Sequence, residues 1–315
     1  MEPLVSIVIP AYQAQSTIGA TLSSALRQSY PRVEIVVCID GATDRTRDIV
    51  AAHGSDIRIV DQANAGLPAA RNAAIRAARG DLIATLDADD LLLPTYIASL
   101  VERLGTGGER SFVCANSYLM SSDQVSERRH WTTRHPRGAE QRMRTLEHNI
   151  GTAFALYPKR MWEELGGYAE ELRACEDYDF WTRAIFGGWE VLFVDRPLAL
   201  YRYEHGSMSS DPERMNVGEK LMWERIARLH RDQMTPRERE LLDLSLESET
   251  VDWYLAHEAE ALARGDVAEA GRLCTQASRL RPSDRSLRLK ATLLTRVPGA
   301  GMAYDWRARR RLTRG

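Results

Sequence analysis

The stretch IATLDADDLLLP, residues 83–94, sets three carboxylates, Asp87, Asp89 and Asp90, between an apolar run and a proline. Unpaired, such a cluster repels itself and resists burial, so positive charge is expected beside it. The apolar run LIATL (82–86) is short enough to be a buried strand, and LPTYIASL beyond the acids opens a helix, which puts the cluster at a strand end. Working outward, LVSIVI (4–9), VEIVVCI (33–39), IRIV (57–60), FVCANSY (112–118) and VLFV (191–194) also read as strands. Between the first four strands lie TIGATLSSALRQ, TRDIVAAHG and PAARNAAIRAARG, with apolar residues at helical spacing. This alternation predicts an α/β fold, a mostly parallel sheet with helices on both faces. Ligands in such sheets bind beyond the carboxyl ends of the strands, which gathers Pro10 to Tyr12, Asp40 and Asp87 to Asp90 along one edge.

The 315 residues are 44% hydrophobic and 27% charged with a formal charge of −2, which excludes a globally basic nucleic-acid binder. Cys38, Cys114, Cys175 and Cys274 lack paired spacing, so neither a zinc site nor a disulfide framework is expected and a reducing compartment fits. The opening MEPLVSIVIPAY has no basic region and too short an apolar run for a signal segment, and nothing later reaches spanning length. The expectation is a cytoplasmic protein, with peripheral membrane contact left open. From about residue 213 the strands stop and helices follow, broken at MTPRE, RGD and RPSD. The chain therefore divides into an α/β domain over 1–212 and an α-helical domain with a basic tail over 213–315. Residues 251–284 follow a tetratricopeptide-like pattern, with RGD as the turn, Ala270 and Ala277 on the second helix and Pro282 as the stop. One such hairpin cannot bury its own face, so it packs on the α/β domain, on helix after Asp284, or on another subunit. A homo-oligomer or protein partner through these helices and a plain amphipathic cap are equal readings.

Two carboxylates one residue apart at a strand end suit a hard divalent cation, Mn²⁺ or Mg²⁺. A Walker B strand would need a P-loop, which the sequence lacks, and a phosphatase nucleophile belongs on a first strand rather than a fourth. Helix capping accounts for Asp90 but not for Asp87 and Asp89 together. Four segments in order now bear on the choice: VSIVIPAYQAQSTIGATLSSALRQSYPRVEIVVCIDGATDRT, NAGLPAARNAAIRAARGDLIATLDADD, NIGTAFALYPKRMWEELGGYAEELRACEDYDFWTR and LYRYEHGSMS. In them the chain resembles the family 2 glycosyltransferases of GT-A fold over about residues 4–210. The family transfers a sugar from a nucleotide diphosphate sugar to a hydroxyl, usually with inversion.

The resemblance assigns roles residue by residue. Asp89 stands on the cation that bridges the two phosphates, with Asp87 nearer the ribose and Ala88 between them on the donor. His205 completes the metal site or touches the diphosphate. Asp177, in CEDYDFWTR, is the general base, and its place at a helix start favours an ionised carboxylate. Glu176 orients the acceptor or caps the helix, and Trp181, four residues beyond Asp177, offers an apolar face for a sugar ring unless it is core. Pro10, Ala11 and Tyr12 cradle the base. Asp40 accepts from uracil, although the family's usual first Asp is Ile39 here. Arg71 approaches base and phosphates, or else is a structural Arg tied to Asp40 or Asp87. Gly166 and Gly167 form a turn beside the acceptor pocket.

Residues 127–144 carry six Arg against two Glu, a loop to guide an anionic acceptor or simply a solvated one. The tail YDWRARRRLTRG has five Arg against one Asp, suited to an anionic membrane or to disorder. No nucleic-acid motif accompanies either. The absence of a Q-x-x-R-W segment favours transfer of single sugars over processive synthesis. The expectation is an inverting, metal-dependent glycosyltransferase using a UDP-sugar donor and a glycan, lipid-linked or small-molecule acceptor. The alternatives are a non-catalytic nucleotide-sugar-binding scaffold and a metal-dependent nucleotidyltransferase.

Overall fold

The computed structural model of the protein describes residues 2–54, 56–121, 124–203 and 211–296. The chain forms two compact units, one of Met1–Thr145 with Asn149–Ser207, the other of Leu146–His148 with Met208–Gly315.

In the first unit the β-branched runs become strands β1 (Val5–Ala11), β2 (Val33–Asp40), β3 (Ile57–Gln62) and β4 (Leu82–Thr85), which pair in parallel in the order β3-β2-β1-β4. Helices α1 (Ile18–Leu26), α2 (Thr46–Ala52) and α3 (Leu67–Ala77) make the crossovers. Along β1 the side chains alternate: Ile7 and Ile9 join the core with Ile18 and Leu22 of α1, while Val8 joins that with Ala70, Ala74 and Ile75 of α3. Both faces of the sheet are thus covered, as the continuous apolar runs require.

The second half of the sheet is mixed. β5 (Leu91–Leu92), β6 (Ser111–Ser121), β7 (Gln124–Arg129), β8 (Ala155–Pro158) and β9 (Glu190–Arg202) extend the order β4-β8-β6-β9-β5, with β7 on β6. β4 pairs with β8 in the antiparallel sense and β6 with β9 in parallel. Helices α4 (Tyr96–Leu104), α5 (Glu140–Glu147), α6 (Lys159–Glu164) and α7 (Glu176–Phe186) accompany these strands. α7 is buried from Tyr178 to Phe186, so it is a core helix rather than a surface amphipath. The buried Arg183 pairs with Asp179 at 2.7 Å and donates to the carbonyls of Leu165 and Gly167, tying the Gly166–Gly167 turn to α7. Both glycines have positive φ, +72° and +82°, so the turn requires them.

The second unit is helical: α8 (Pro212–His230), α9 (Pro236–Glu247), α10 (Val251–Ala263), α11 (Val267–Leu280) and α12 (Arg285–Arg296). Asp211, Thr235, Thr250 and Asp266 cap the first four through their side chains, and Thr235 with Glu238 completes a capping box. α10 and α11 form the tetratricopeptide-like hairpin. Its open face is filled by α12, whose Leu287, Ala291 and Leu294 meet Ala270, Cys274 and Ala277. Of the three packings open to the hairpin, helix after Asp284 supplies this one. The basic tail lies outside the described residues.

Candidate active site

The carboxyl ends of β1, β2 and β4 stand together at one edge of the sheet. Pro10 and Ala11 are buried in β1 and register with Cys38 and Ile39 of β2, so Tyr12, 55% exposed, is the first side chain beyond them to face solvent. Gln13 follows in the left-handed region (φ +48°), and its side-chain oxygen accepts from the backbone N–H of Thr43 and of Asp44, joining the loops after β1 and β2. Asp40 is 2% exposed. Its carboxylate accepts from Gln62 Nε2 at 2.7 Å, Ala65 N at 2.8 Å and Gly66 N at 2.9 Å. The residue expected to receive the uracil is thus also the buried anchor of the loop that enters α3, with three donors on its two oxygens.

That loop places Arg71, on the first turns of α3, at the centre of the edge. Its Nη2 donates to Asp87 Oδ1 at 2.8 Å and its Nη1 to Glu176 Oε1 at 2.9 Å, while its guanidinium lies 5.0 Å from the Tyr168 ring centre. Burial opposes the charge, but the carboxylates of Asp87 and Glu176 outweigh it and hold the pKa above the ordinary arginine value. Arg71 is thus tied as the second of the two readings above has it: Nη1 and Nη2 serve the protein's own carboxylates, while its buried Nε has no hydrogen-bond partner among the described residues. It spans three elements far apart in sequence, and this is the positive charge the acidic cluster demanded.

Asp177 follows Glu176 at the start of α7, after Cys175, which is held left-handed at φ +63°. Asp177 is half-buried, and Asn149 Nδ2 donates to its Oδ2 at 3.3 Å. Burial first, then the neighbouring Glu176, pushes its carboxyl up to about 6, against the pull of Arg71 and the Tyr178 N–H. The helix start was expected to favour the charged form; desolvation wins instead. A carboxyl poised near 6 is ionised at neutral pH yet basic enough to take a proton.

Trp181 departs from expectation too. It is 1% exposed and stacks on Phe112 with ring centres 5.1 Å apart, so it offers no face to a sugar. Every side of α7 near it is covered, and an i, i+4 relation to Asp177 cannot mark an exposed face on a helix without one. Trp181 packs instead on Gly151, where a Cβ would overlap the indole. The N–H of Gly151 donates to Asn149 Oδ1 at 3.0 Å, which turns Nδ2 of that amide toward Asp177. Asn149 had no role in the sequence reading; the signal was the N-x-G spacing of an Asx turn.

Asp87, half-buried, and Asp89, exposed, flank half-buried Ala88, whose carbonyl accepts from Thr21 Oγ1 at 3.0 Å. Asp90 does not cap a helix: α4 starts at Tyr96 behind Thr95. Asp90 is 1% exposed, accepts from Arg202 N at 2.8 Å and ties this loop to the end of β9. Its burial, then Asp89 and Asp87, push its carboxyl well above the usual range. Arg202 also donates from Nε to the Asp89 carbonyl at 3.0 Å, a second cation beside the cluster that the sequence reading missed. Among the described residues no three His, Cys, Asp or Glu side chains converge as a metal cage. The pair Asp87 and Asp89 nonetheless fits Mn²⁺ or Mg²⁺ in a nucleotide site, where one or two carboxylates suffice and phosphates and water complete the shell. His205 lies outside the described residues.

Comparison with known proteins follows the same outline. The sequence profile of Glycosyl transferase family 2 matches residues 6–166. Over 238 residues the chain is 32% identical to the uncharacterized glycosyltransferase EpsJ of Bacillus subtilis (strain 168), covering 70% of this chain and 67% of EpsJ. Over 125 residues it is 40% identical to the UDP-Glc:alpha-D-GlcNAc-diphosphoundecaprenol beta-1,3-glucosyltransferase WfaP of Escherichia coli, covering 39% of this chain and about half, 49%, of WfaP. Among solved structures, S. aureus TarS in complex with UDP-GlcNAc has a TM-score of 0.60 at 18% identity, over 92% of this chain and 87% of that one. The mannosyltransferase PcManGT of Pyrobaculum calidifontis, in complex with GDP-Man and Mn²⁺, has a TM-score of 0.59 at 18% identity, over 98% and 86%. These structures share the GT-A fold. With its profile match over half of the chain and its likeness to EpsJ, the chain belongs to glycosyl transferase family 2 and is a glycosyltransferase.

Proposed function

We propose that this chain transfers a single sugar, with inversion, from a UDP-sugar to a hydroxyl of a glycan, lipid-linked or small-molecule acceptor, with Asp177 as general base. The observation that carries the reading is the Arg71 bridge. One buried guanidinium holds Asp87, in the loop after β4, and Glu176, beside Asp177 on α7, so the two sides of a displacement are kept at fixed spacing. The donor's nucleotide lies over the β1 and β2 ends, with Tyr12 as its exposed aromatic neighbour. Asp177 takes the proton as the acceptor O–H breaks. The new bond forms from that oxygen to the anomeric carbon, opposite the departing diphosphate, which leaves with the electron pair of the old bond. Glu176, locked to Arg71, steadies the helix start on the acceptor side. Asp87 and Asp89, with His205 as a further donor, would hold a divalent cation, which when bound would supply charge neutralisation for the diphosphate.

The names of relatives support the finer reading. WfaP is named for UDP-Glc and a diphosphoundecaprenol-linked sugar, TarS is described with UDP-GlcNAc, and PcManGT with Mn²⁺. A thermal-shift screen of nucleotide sugars with and without Mn²⁺ identifies the donor, since a ligand of the native state raises stability by mass action. With that donor, Asp177→Asn is expected to bind as the wild type does and to transfer at least about 10²-fold more slowly. Transfer at the wild-type rate would give the base role to another group.

A further inference from the structure

The formal charge of −2 hides a strong polarity along the chain. Residues 271–315 carry twelve Arg and Lys against two Asp, while the preceding 270 residues carry thirty against forty-two Asp and Glu. Four of those twelve, Arg285, Arg288, Lys290 and Arg296, fall on α12. Arg285, Leu289, Thr292 and Arg296 recur at i, i+4, i+7 and i+11 and form one exposed stripe, flanked by exposed Arg288, opposite the buried Leu287, Ala291 and Leu294. Leu289 is 60% exposed, the highest value among the large apolar side chains described. None of Arg285, Arg288 and Arg296 is ion-paired among the described residues, and α12 contains no acid.

Two other helices of this unit are built differently. α9 mixes both signs on its surface, and the exposed ends of α10 are acidic. A closing helix that served only solubility would carry mixed charge as α9 does. A single-signed arginine stripe around one exposed leucine instead matches a layer of anionic headgroups: guanidinium groups pair with phosphates while the apolar stems and Leu289 rest at the acyl boundary. No described helix is long and apolar enough to cross a membrane, so such contact lies on the surface.

We propose that the exposed face of α12 docks on an anionic lipid surface. Each arginine near such a surface contributes a few-fold, so the contact is reversible and salt-sensitive. The test is co-sedimentation of the full chain with phosphatidylcholine vesicles, with and without phosphatidylglycerol, at several salt concentrations. Binding is expected only with phosphatidylglycerol and is expected to weaken as salt rises. The triple variant Arg285→Gln, Arg288→Gln, Arg296→Gln is expected to bind at least about tenfold more weakly at an unchanged melting temperature. Equal binding to both vesicle types, or a triple variant within about twofold of the wild type, overturns the proposal. Tighter retention on single-stranded RNA than on the anionic vesicles at equal salt would overturn it as well, giving the face to nucleic acid. Transfer to a water-soluble acceptor should be the same in both proteins, so this outcome is independent of the base assignment.

Discussion

Arginine does opposite work in the two units. On α3, Arg71 is 3% exposed and locked between Asp87 and Glu176. On α12, Arg285, Arg288 and Arg296 stand in solvent with no ionic partner among the described residues. A charge taken out of water survives only with partners placed for it, so a buried arginine reports that the protein itself has fixed the positions of carboxylates around it. An exposed single-signed row fixes nothing within the chain and is available to something outside. The first unit thus uses a buried arginine to build geometry, whereas the second, which buries Glu258 against Lys290, leaves these three arginines on the surface over a core of small and aliphatic residues such as Ala270, Cys274 and Leu294.

The contrast breaks most visibly at Arg71. Arg71→Met is expected to destabilise the protein by about 3–5 kcal/mol in urea unfolding, because two carboxylates lose their partner in a buried setting. Adding Glu176→Gln should recover part of that stability and none of the transfer rate; full recovery of the rate would mean that the bridge is packing alone. Next comes Gly151→Ala, which forces a methyl into the Trp181 indole and is expected to cost about 1–3 kcal/mol while slowing transfer through the displaced Asn149. An unchanged melting temperature would show that α7 gives way freely.

Asp177→Asn should move stability the other way. Because the folded carboxyl is raised to about 6, the native state holds a proton that the unfolded chain has already released, and stability falls as pH rises from about 4 through 6. Replacing the acid by a neutral amide removes that loss. The variant is expected to be about 1–2 kcal/mol more stable than the wild type at pH 7, and no different at pH 4.

Much of this was legible in residues. The β-branched runs marked six of the strands, and the breaks at MTPRE, RGD and RPSD marked the helical unit. β5, β7 and β8 were not legible: β5 is two residues, β8 is ALYP with its own proline, and β7 is the polar edge run QVSERR, whose pattern resembles a loop. In the site, Asp87 and Asp89 stood out because carboxylates beside an apolar run are costly, and Asp177 stood out through the family resemblance of its segment. What they touch did not, since the Arg71–Glu176 pair joins positions 105 residues apart and nothing local encodes it. Trp181 was misread, and the anchoring role of Asp40 was missed, for one shared reason. Both have the chemistry of a ligand contact, and only the tertiary packing shows that Ala65, Gly66 and Gln62 occupy the one while Phe112 and Gly151 enclose the other.

The pH dependence of kcat/KM tests the base most directly, measured for the wild type and for Asn149→Asp, which replaces the amide donor to Asp177 by a second carboxylate. The wild type is expected to lose activity below an apparent pKa of about 6, with a slope of one proton, and the variant to shift that limb upward by about one unit. A profile flat through this range, or a limb that stays in place when Asn149 becomes Asp, would contradict the assignment of Asp177.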